Sequence, residues 1–155
     1  MQLRVIAIGT KMPAWVEQGC AEYCKRLPRE LQLEWLELPL GPRNKTSTPQ
    51  RAIAAENDAM LAKIPADNWV VALDLPGKPW STPQLAVELG NWQLAGRGVC
   101  LLIGGPDGLG EGARQRADQS WSLSPLTLPH ALVRVLLAEQ LYRAWSLNQG
   151  HPYHR

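Results

Sequence analysis

The chain predicts an α/β fold with a mainly parallel sheet and helices on both faces, and three observations carry that prediction. Short apolar runs rich in β-branched or bulky residues, Leu3–Ile8, Trp69–Leu73 and Val99–Ile103, have strand length and composition. Helix-like segments separate them from end to end, the order expected of strands laid parallel by crossover connections. The 155 residues suit one compact domain over 1–155, large enough to bury roughly 70% of its unfolded surface without a metal or disulfide.

Leu3–Ile8 closes on Gly9 and reads as the first strand. Pro13 is tolerated as a first helical residue, and the helix behind it should run to about Leu27, stopped by Pro28. Leu33–Leu38 interleaves apolar residues with Glu34 and Glu37, as a partly exposed strand does. Gly41–Pro49 holds Pro42, Arg43, Asn44 and Lys45 and reads as a mobile loop, either a solvated connection or a contact for RNA phosphate. Thr48 is the N-cap of a helix from Pro49 to near Ile64. After Trp69–Leu73, Ser81 caps a helix over Pro83–Leu94. Val99–Ile103, the most apolar strand, runs into a glycine-rich stretch, a short helix near Gly112–Ala117 and a strand at Trp121–Leu123. The last helix begins after Pro129 and continues to about Asn148.

Apolar residues make up 45% and charged residues 19%, an ordinary globular balance that excludes a disordered chain. Three cysteines, an odd number, argue against a disulfide framework. The N-terminal apolar run is too short for a signal peptide, and nothing has the length of a membrane span. A cytoplasmic protein is expected. The net charge of +2 gives composition little to say about nucleic acid.

The last helix is apolar around most of its circumference, broken by Arg134, Glu139, Gln140 and Arg143. A helix on one side of a sheet needs a single apolar stripe. The surplus predicts a second buried face, against the same helix of a partner in a homodimer.

Three strand-end loops are candidates for a ligand site. Leu73 leads into Leu75-Pro-Gly-Lys-Pro79, Ile103 into Gly104-Gly-Pro-Asp-Gly108, and Leu123 into Ser124-Pro-Leu-Thr-Leu-Pro129. Open α/β sheets bind ligands at the carboxyl ends of their strands, and glycine lets backbone approach a ligand closely. The third loop is too apolar to face water; it is either buried or wrapped round a ligand such as an adenine ring. Gly108-Leu-Gly110-Glu-Gly-Ala113 formally matches a dinucleotide fingerprint, but Pro106 stands between the strand end and Gly108, and no acidic strand end follows.

Val99-Cys-Leu-Leu-Ile-Gly-Gly-Pro-Asp-Gly108, Trp121-Ser-Leu-Ser-Pro-Leu-Thr-Leu-Pro-His130, Arg143-Ala-Trp-Ser146 and His151-Pro-Tyr-His154 occur in that order. With Leu73-Asp-Leu-Pro-Gly-Lys-Pro-Trp80 and Gly9-Thr-Lys-Met-Pro13, they make the chain resemble the SPOUT-class ribosomal RNA large-subunit methyltransferase H family along essentially its whole length. The resemblance implies a C-terminal trefoil knot, a homodimer, and S-adenosylmethionine held by Leu73, Gly104, Leu123, Ser124, Pro125, Leu126, Thr127 and Leu128. It implies methylation of N-3 of a pseudouridine in 23S ribosomal RNA, on the assembled ribosome. The alternatives are a ribosome-binding factor without activity and a related enzyme acting on transfer RNA.

Methyl transfer is an in-line displacement that depends on positioning. An imide nitrogen must also lose its proton, so a general base would help. His154 or Tyr153, on a tail dense in His, Tyr and Arg, is the proton-handling candidate, and Arg155 a phosphate contact. By resemblance the tail reaches the partner's cofactor site. His130 is assigned to capping and packing, and Arg114 and Arg116 to a solvated helix face. Cys20 and Cys24 are one turn apart, but no further ligand stands near them in sequence, and no metal is expected.

Overall fold

The computed structural model describes residues 1–154. Five strands, β1 (Leu3–Ile8), β2 (Leu33–Leu38), β3 (Trp69–Lys78), β4 (Val99–Ile103) and β5 (Gln119–Trp121), form one sheet in the order β2-β1-β4-β3-β5, with every strand pair parallel. Helices α1 (Ala14–Cys24), α2 (Pro49–Leu61), α3 (Thr82–Ala95), α4 (Glu111–Arg116) and α5 (His130–Asn148) connect or follow them.

Alternation along the strands divides the core in two. Leu3, Val5 and Ala7 of β1 with Val99, Leu101 and Ile103 of β4 pack under α3 and α5, against Leu85, Leu89, Leu137 and Leu141. Ile6 and Ile8 with Cys100 and Leu102 face the other way, toward Met60 of α2 and Ala113 of α4. Both faces are therefore covered, as a buried parallel sheet requires.

Local chemistry explains the helix starts. The Thr48 hydroxyl accepts a hydrogen bond from the Arg51 amide at 3.2 Å. Ser81 and Gln84 form a reciprocal capping box, each side chain accepting from the other's backbone N–H.

The structure revises four boundaries. The first helix ends at Cys24, and residues 29–31 form a separate 3-10 turn before β2. The second ends at Leu61, not near Ile64. β3 continues through Pro76 to Lys78 by way of a register shift, because it lies beside the short β5 there rather than inside the ladder. β5 spans Gln119–Trp121 rather than 121–123. Asp118 draws it into register by accepting the Val70 amide on its carboxylate and donating its own amide to the Val70 carbonyl, both at 2.8 Å.

Of the apolar residues of α5, Leu137, Leu141 and Ala144 are buried within the chain, while Leu132, Val133, Val135, Leu136 and Trp145 stay part-exposed. The helix lies between α1 and α3, and Val135 packs where a Cβ on Gly19 of α1 would meet it at 3.2 Å. The chain's own helices thus take up part of the surplus, and a part-exposed apolar remainder stays on α5.

Candidate active site

The carboxyl ends of β3, β4 and β5 open into a cleft of about 410 Å³. Leu73, Gly104, Leu123, Ser124, Leu126, Thr127 and Leu128, each named from sequence as a cofactor contact, all line it. Pro125, within the same loop, is exposed and does not. Loop 122–129 is shaped by its serines: the Ser122 hydroxyl donates to the Ser124 carbonyl at 3.1 Å, and the Ser124 hydroxyl accepts from the Leu126 amide at 2.9 Å. Leu75 and Leu126 stand half or more exposed at the rim (53% and 70%), apolar surface suited to closing over a ligand.

Gly104 has a reason of its own to be glycine. A Cβ there would come within 2.5 Å of the Gly108 carbonyl carbon, because the chain doubles back in a turn closed by the Gly108 amide donating to the Gly105 carbonyl at 3.0 Å. Gly108 holds φ +83° in the same turn. The turn's geometry demands these glycines, and the cleft then inherits their bare backbone.

Two residues of the cleft carry more than their sequence positions announced. Trp121 forms its back wall, stacked on Trp80 with ring centroids 5.3 Å apart, and its indole N–H is buried without a partner among the described residues. His130, the first residue of α5, lines the cleft as well. Its Nε2 accepts from Arg134 Nε at 3.1 Å, so Nδ1 carries the proton in the neutral ring. Burial first, and the Arg134 charge second, hold its pKa below the usual histidine value, which keeps that ring neutral.

Arg134 itself is almost fully buried. Besides His130, its guanidinium donates to the Gly9 carbonyl at 2.8 Å and to the Glu37 carboxylate. One side chain thus joins the start of α5 to the ends of β1 and β2. Sequence reading had placed Arg134 as an interruption of an apolar helix and His130 as a packing residue. Their i, i+4 spacing is the one local signal; the partners that bury Arg134, Glu37 and the Gly9 carbonyl, are distant in the chain.

The tail lies elsewhere. Residues 152–154 make a 3-10 turn folded onto the far part of α5. Tyr153 packs on Tyr142 with centroids 4.5 Å apart, and its hydroxyl donates to Glu139 Oε1 at 3.1 Å, beside Arg143. Burial and that carboxylate raise the Tyr153 pKa to about 12, which makes it a poor base at neutral pH. His154 Nδ1 is buried without a hydrogen-bond partner among the described residues. At 1.5 Å per helical residue, these docking positions lie about 13–22 Å along α5 from His130. One chain does not bring Tyr153 and His154 to its own cleft. Arg155 lies outside the described residues.

The other candidates fall into place around this frame. Arg114 is bound to Asp74, a cleft residue, at 2.8 Å, and Arg116 to Asp118 and the Asn68 carbonyl. Arg43 is held by the buried Glu56 and by Asp107, so the 41–49 loop is pinned rather than free at that point. The Cys20 thiol is pushed up to about 11, by burial first and by Cys24 second. Among the described residues, no group of three or more His, Cys, Asp or Glu could hold a metal ion, and no helix is long and apolar enough to cross a membrane.

The model of the family described as "Predicted SPOUT methyltransferase" matches residues 1–154. This chain belongs to that family. The methyltransferase is 54% identical over 155 residues to "Ribosomal RNA large subunit methyltransferase H" of Hahella chejuensis, covering 100% of this chain and 99% of that one. Its fold recurs in solved structures. The probable methyltransferase of Bordetella pertussis Tohama I superposes with a TM-score of 0.55 at 18% identity, over 92% of this chain and 95% of that one. A probable methylase family protein of Haemophilus influenzae Rd KW20 does so with a TM-score of 0.57 at 9% identity, over 99% and 70%. The family, and a mainly parallel sheet with helices on both faces, are borne out.

Proposed function

We propose that this methyltransferase, a homodimer with a knotted C-terminal part, methylates N-3 of a pseudouridine in 23S ribosomal RNA within the assembled ribosome. The observation that carries this reading is the full-length likeness to a relative named for large-subunit ribosomal RNA, joined to a cleft built by the three loops that the motifs single out.

The cleft fits S-adenosylmethionine. Its volume lies in the ordinary range for small-molecule sites, its walls are mainly apolar side chains and backbone, and it carries one acidic group, Asp74. Leu73, Gly104 and the 123–128 run are the residues that would hold it. When bound, S-adenosylmethionine supplies an electrophilic methyl group that passes to N-3 as the C–S bond breaks, while the imide proton leaves.

The chain's own residues account for the rest. Loop 122–129 and the rim leucines shield the cleft from water, and neutral His130 adds no positive charge beside it. The imide proton falls to His154, whose Nδ1 is uncommitted, rather than to Tyr153, whose phenol stays protonated. The cleft and the tail lie apart in one chain, so a site with both needs a second subunit; this supports the homodimer. The knot is supported by the sheet order, in which the last strand lies beside β3, and by the 122–129 segment meeting the loops after β3 and β4 at one cleft.

The test is transfer of labelled methyl to unmodified whole ribosomes, separate subunits, naked ribosomal RNA and transfer RNA. Label confined to large-subunit RNA of whole ribosomes is expected; label on transfer RNA, or none in protein shown to bind S-adenosylmethionine, overturns the substrate. Protein ending at Gly150 is expected to keep cofactor affinity and lose transfer, whereas full activity would remove the tail from the site.

A further inference from the structure

A second cavity borders the cofactor cleft. It has a volume of about 610 Å³, its floor is the loop after β1, Gly9–Met12, and it shares Pro106 and His130 with the cleft. We infer that this cavity receives the acceptor nucleobase, with His130 as the positioning wall between donor and acceptor. The inference rests on the proposed transfer to RNA and adds where the base sits.

Three observations support it. An in-line displacement needs the acceptor adjoining the donor on the side away from the leaving group, so the base site must border the cleft. Another void bordering the cleft, beneath Gly104 and Gly108, holds only about 10 Å³ and is too small for a base. The larger cavity also offers the right surfaces. Met12, Leu40 and Pro106 present apolar faces against which a planar base can lie, and Leu40 is 53% exposed without cover. Lys11 is exposed in the same loop and makes no ion pair among the described residues, leaving its charge for a phosphate.

The floor is anchored while its tip is free. Gly9, at φ +124°, donates its amide to the Leu38 carbonyl at 2.6 Å and accepts Arg134 on its own carbonyl at 2.8 Å. The same guanidinium holds His130 at 3.1 Å. Arg134 therefore fixes the floor of the acceptor cavity and the wall of the donor cleft relative to each other. Thr10 and Lys11 project beyond that anchor into solvent.

Met12→Trp fills the cavity from a partly exposed position, and Met12→Leu preserves its volume. Calorimetry should find S-adenosylmethionine affinity unchanged in both. Single-turnover transfer to unmodified ribosomes should fall about 100-fold in Met12→Trp, and the volume-conserving Met12→Leu should lose far less. Independently, pseudouridine 5′-monophosphate added to S-adenosylhomocysteine-bound protein should shift the amide resonances of Gly9, Thr10 and Lys11, and Met12→Trp should abolish those shifts. A wild-type transfer rate in Met12→Trp overturns the assignment, as do nucleotide shifts confined to other loops. If wild-type protein methylates no ribosomal RNA, the substrate reading fails, and the nucleotide shifts still decide whether the cavity takes a base.

Discussion

The two ends of α5 each carry an arginine paired with a glutamate, and they are built on opposite principles. At the cleft end, Arg134 is buried and two of its partners lie 97 and 125 residues away, on β2 and just after β1. At the tail end, Arg143 pairs with Glu139 one turn back and remains partly exposed, at 31%. The first pair cannot be undone without disturbing the sheet. The second is local, open to water on the arginine side, and shared with the Tyr153 hydroxyl. A rigid donor cleft and a releasable tail on one helix suit an enzyme whose cofactor site must be formed before substrate arrives, while its C-terminus is free to engage another surface.

The sharpest break in that comparison is to remove each arginine. Arg134→Ala leaves the His130 ring nitrogen and the Gly9 carbonyl without their donor, while Glu37, about a third exposed, regains water; each buried acceptor left unsatisfied costs about 1–3 kcal/mol. The two together are a large share of the roughly 5–15 kcal/mol that holds a domain folded. Arg143→Ala should cost less, about 1 kcal/mol, because the arginine is part-exposed and Glu139 keeps the Tyr153 hydroxyl and the Gln140 amide as donors. Urea midpoints converted with a common m-value measure both, and equal costs would erase the distinction between the two ends.

Acid sharpens the comparison more gently. His130 is held neutral in the fold, with its pKa below the usual 6.5, whereas the unfolded chain takes up a proton there as pH falls through that value. Wild-type stability should therefore decline relative to His130→Gln as pH falls below about 6.5, and match its pH 8 difference above that. A wild-type-minus-variant difference that stays flat from pH 8 to 5 would show that the ring's burial does not couple to folding.

The smallest effect belongs to the tail. Tyr153 titrates near 12, so its docked, protonated state is complete below the unfolded value of 10 and is lost as pH rises through 12. The tyrosinate absorbance missing in Tyr153→Phe should carry that late midpoint. In Glu139→Gln it should move down only part of the way, because burial is the larger cause. An ordinary midpoint near 10 in wild type would mean that the tail is not docked as described.

What could be read from the sequence was what is local. Thr48 and Ser81 announced helix starts because a cap acts within three residues. The three cleft loops were legible because each follows an apolar strand and carries glycine or an apolar run, which marks a strand end whether or not a ligand binds there. Gln119 shows the opposite case. Its amide oxygen accepts both the Trp69 and Trp92 indole N–H groups, at 2.8 and 3.1 Å, and its nitrogen donates to Glu88. Those partners make a polar residue the start of β5, and none is near it in sequence. The 41–49 loop reads as mobile from sequence for the same reason: Glu56 and Asp107, which hold its Arg43, are brought to it only by the fold. His130 and Arg134 escaped because a buried charge network is a property of three elements at once.

Trp121 gives the protein an optical handle. It is stacked on Trp80, which in turn lies 6.3 Å from Trp92 at a 55° tilt, so the three indoles are close enough for their excited states to mix. One member of the trio forms the cleft wall. With no phenylalanine in the chain, near-ultraviolet circular dichroism comes from tryptophan and tyrosine alone. A molecule entering the cleft changes the surroundings of one chromophore in a coupled set, and the ellipticity of the native enzyme becomes a label-free record of its occupancy.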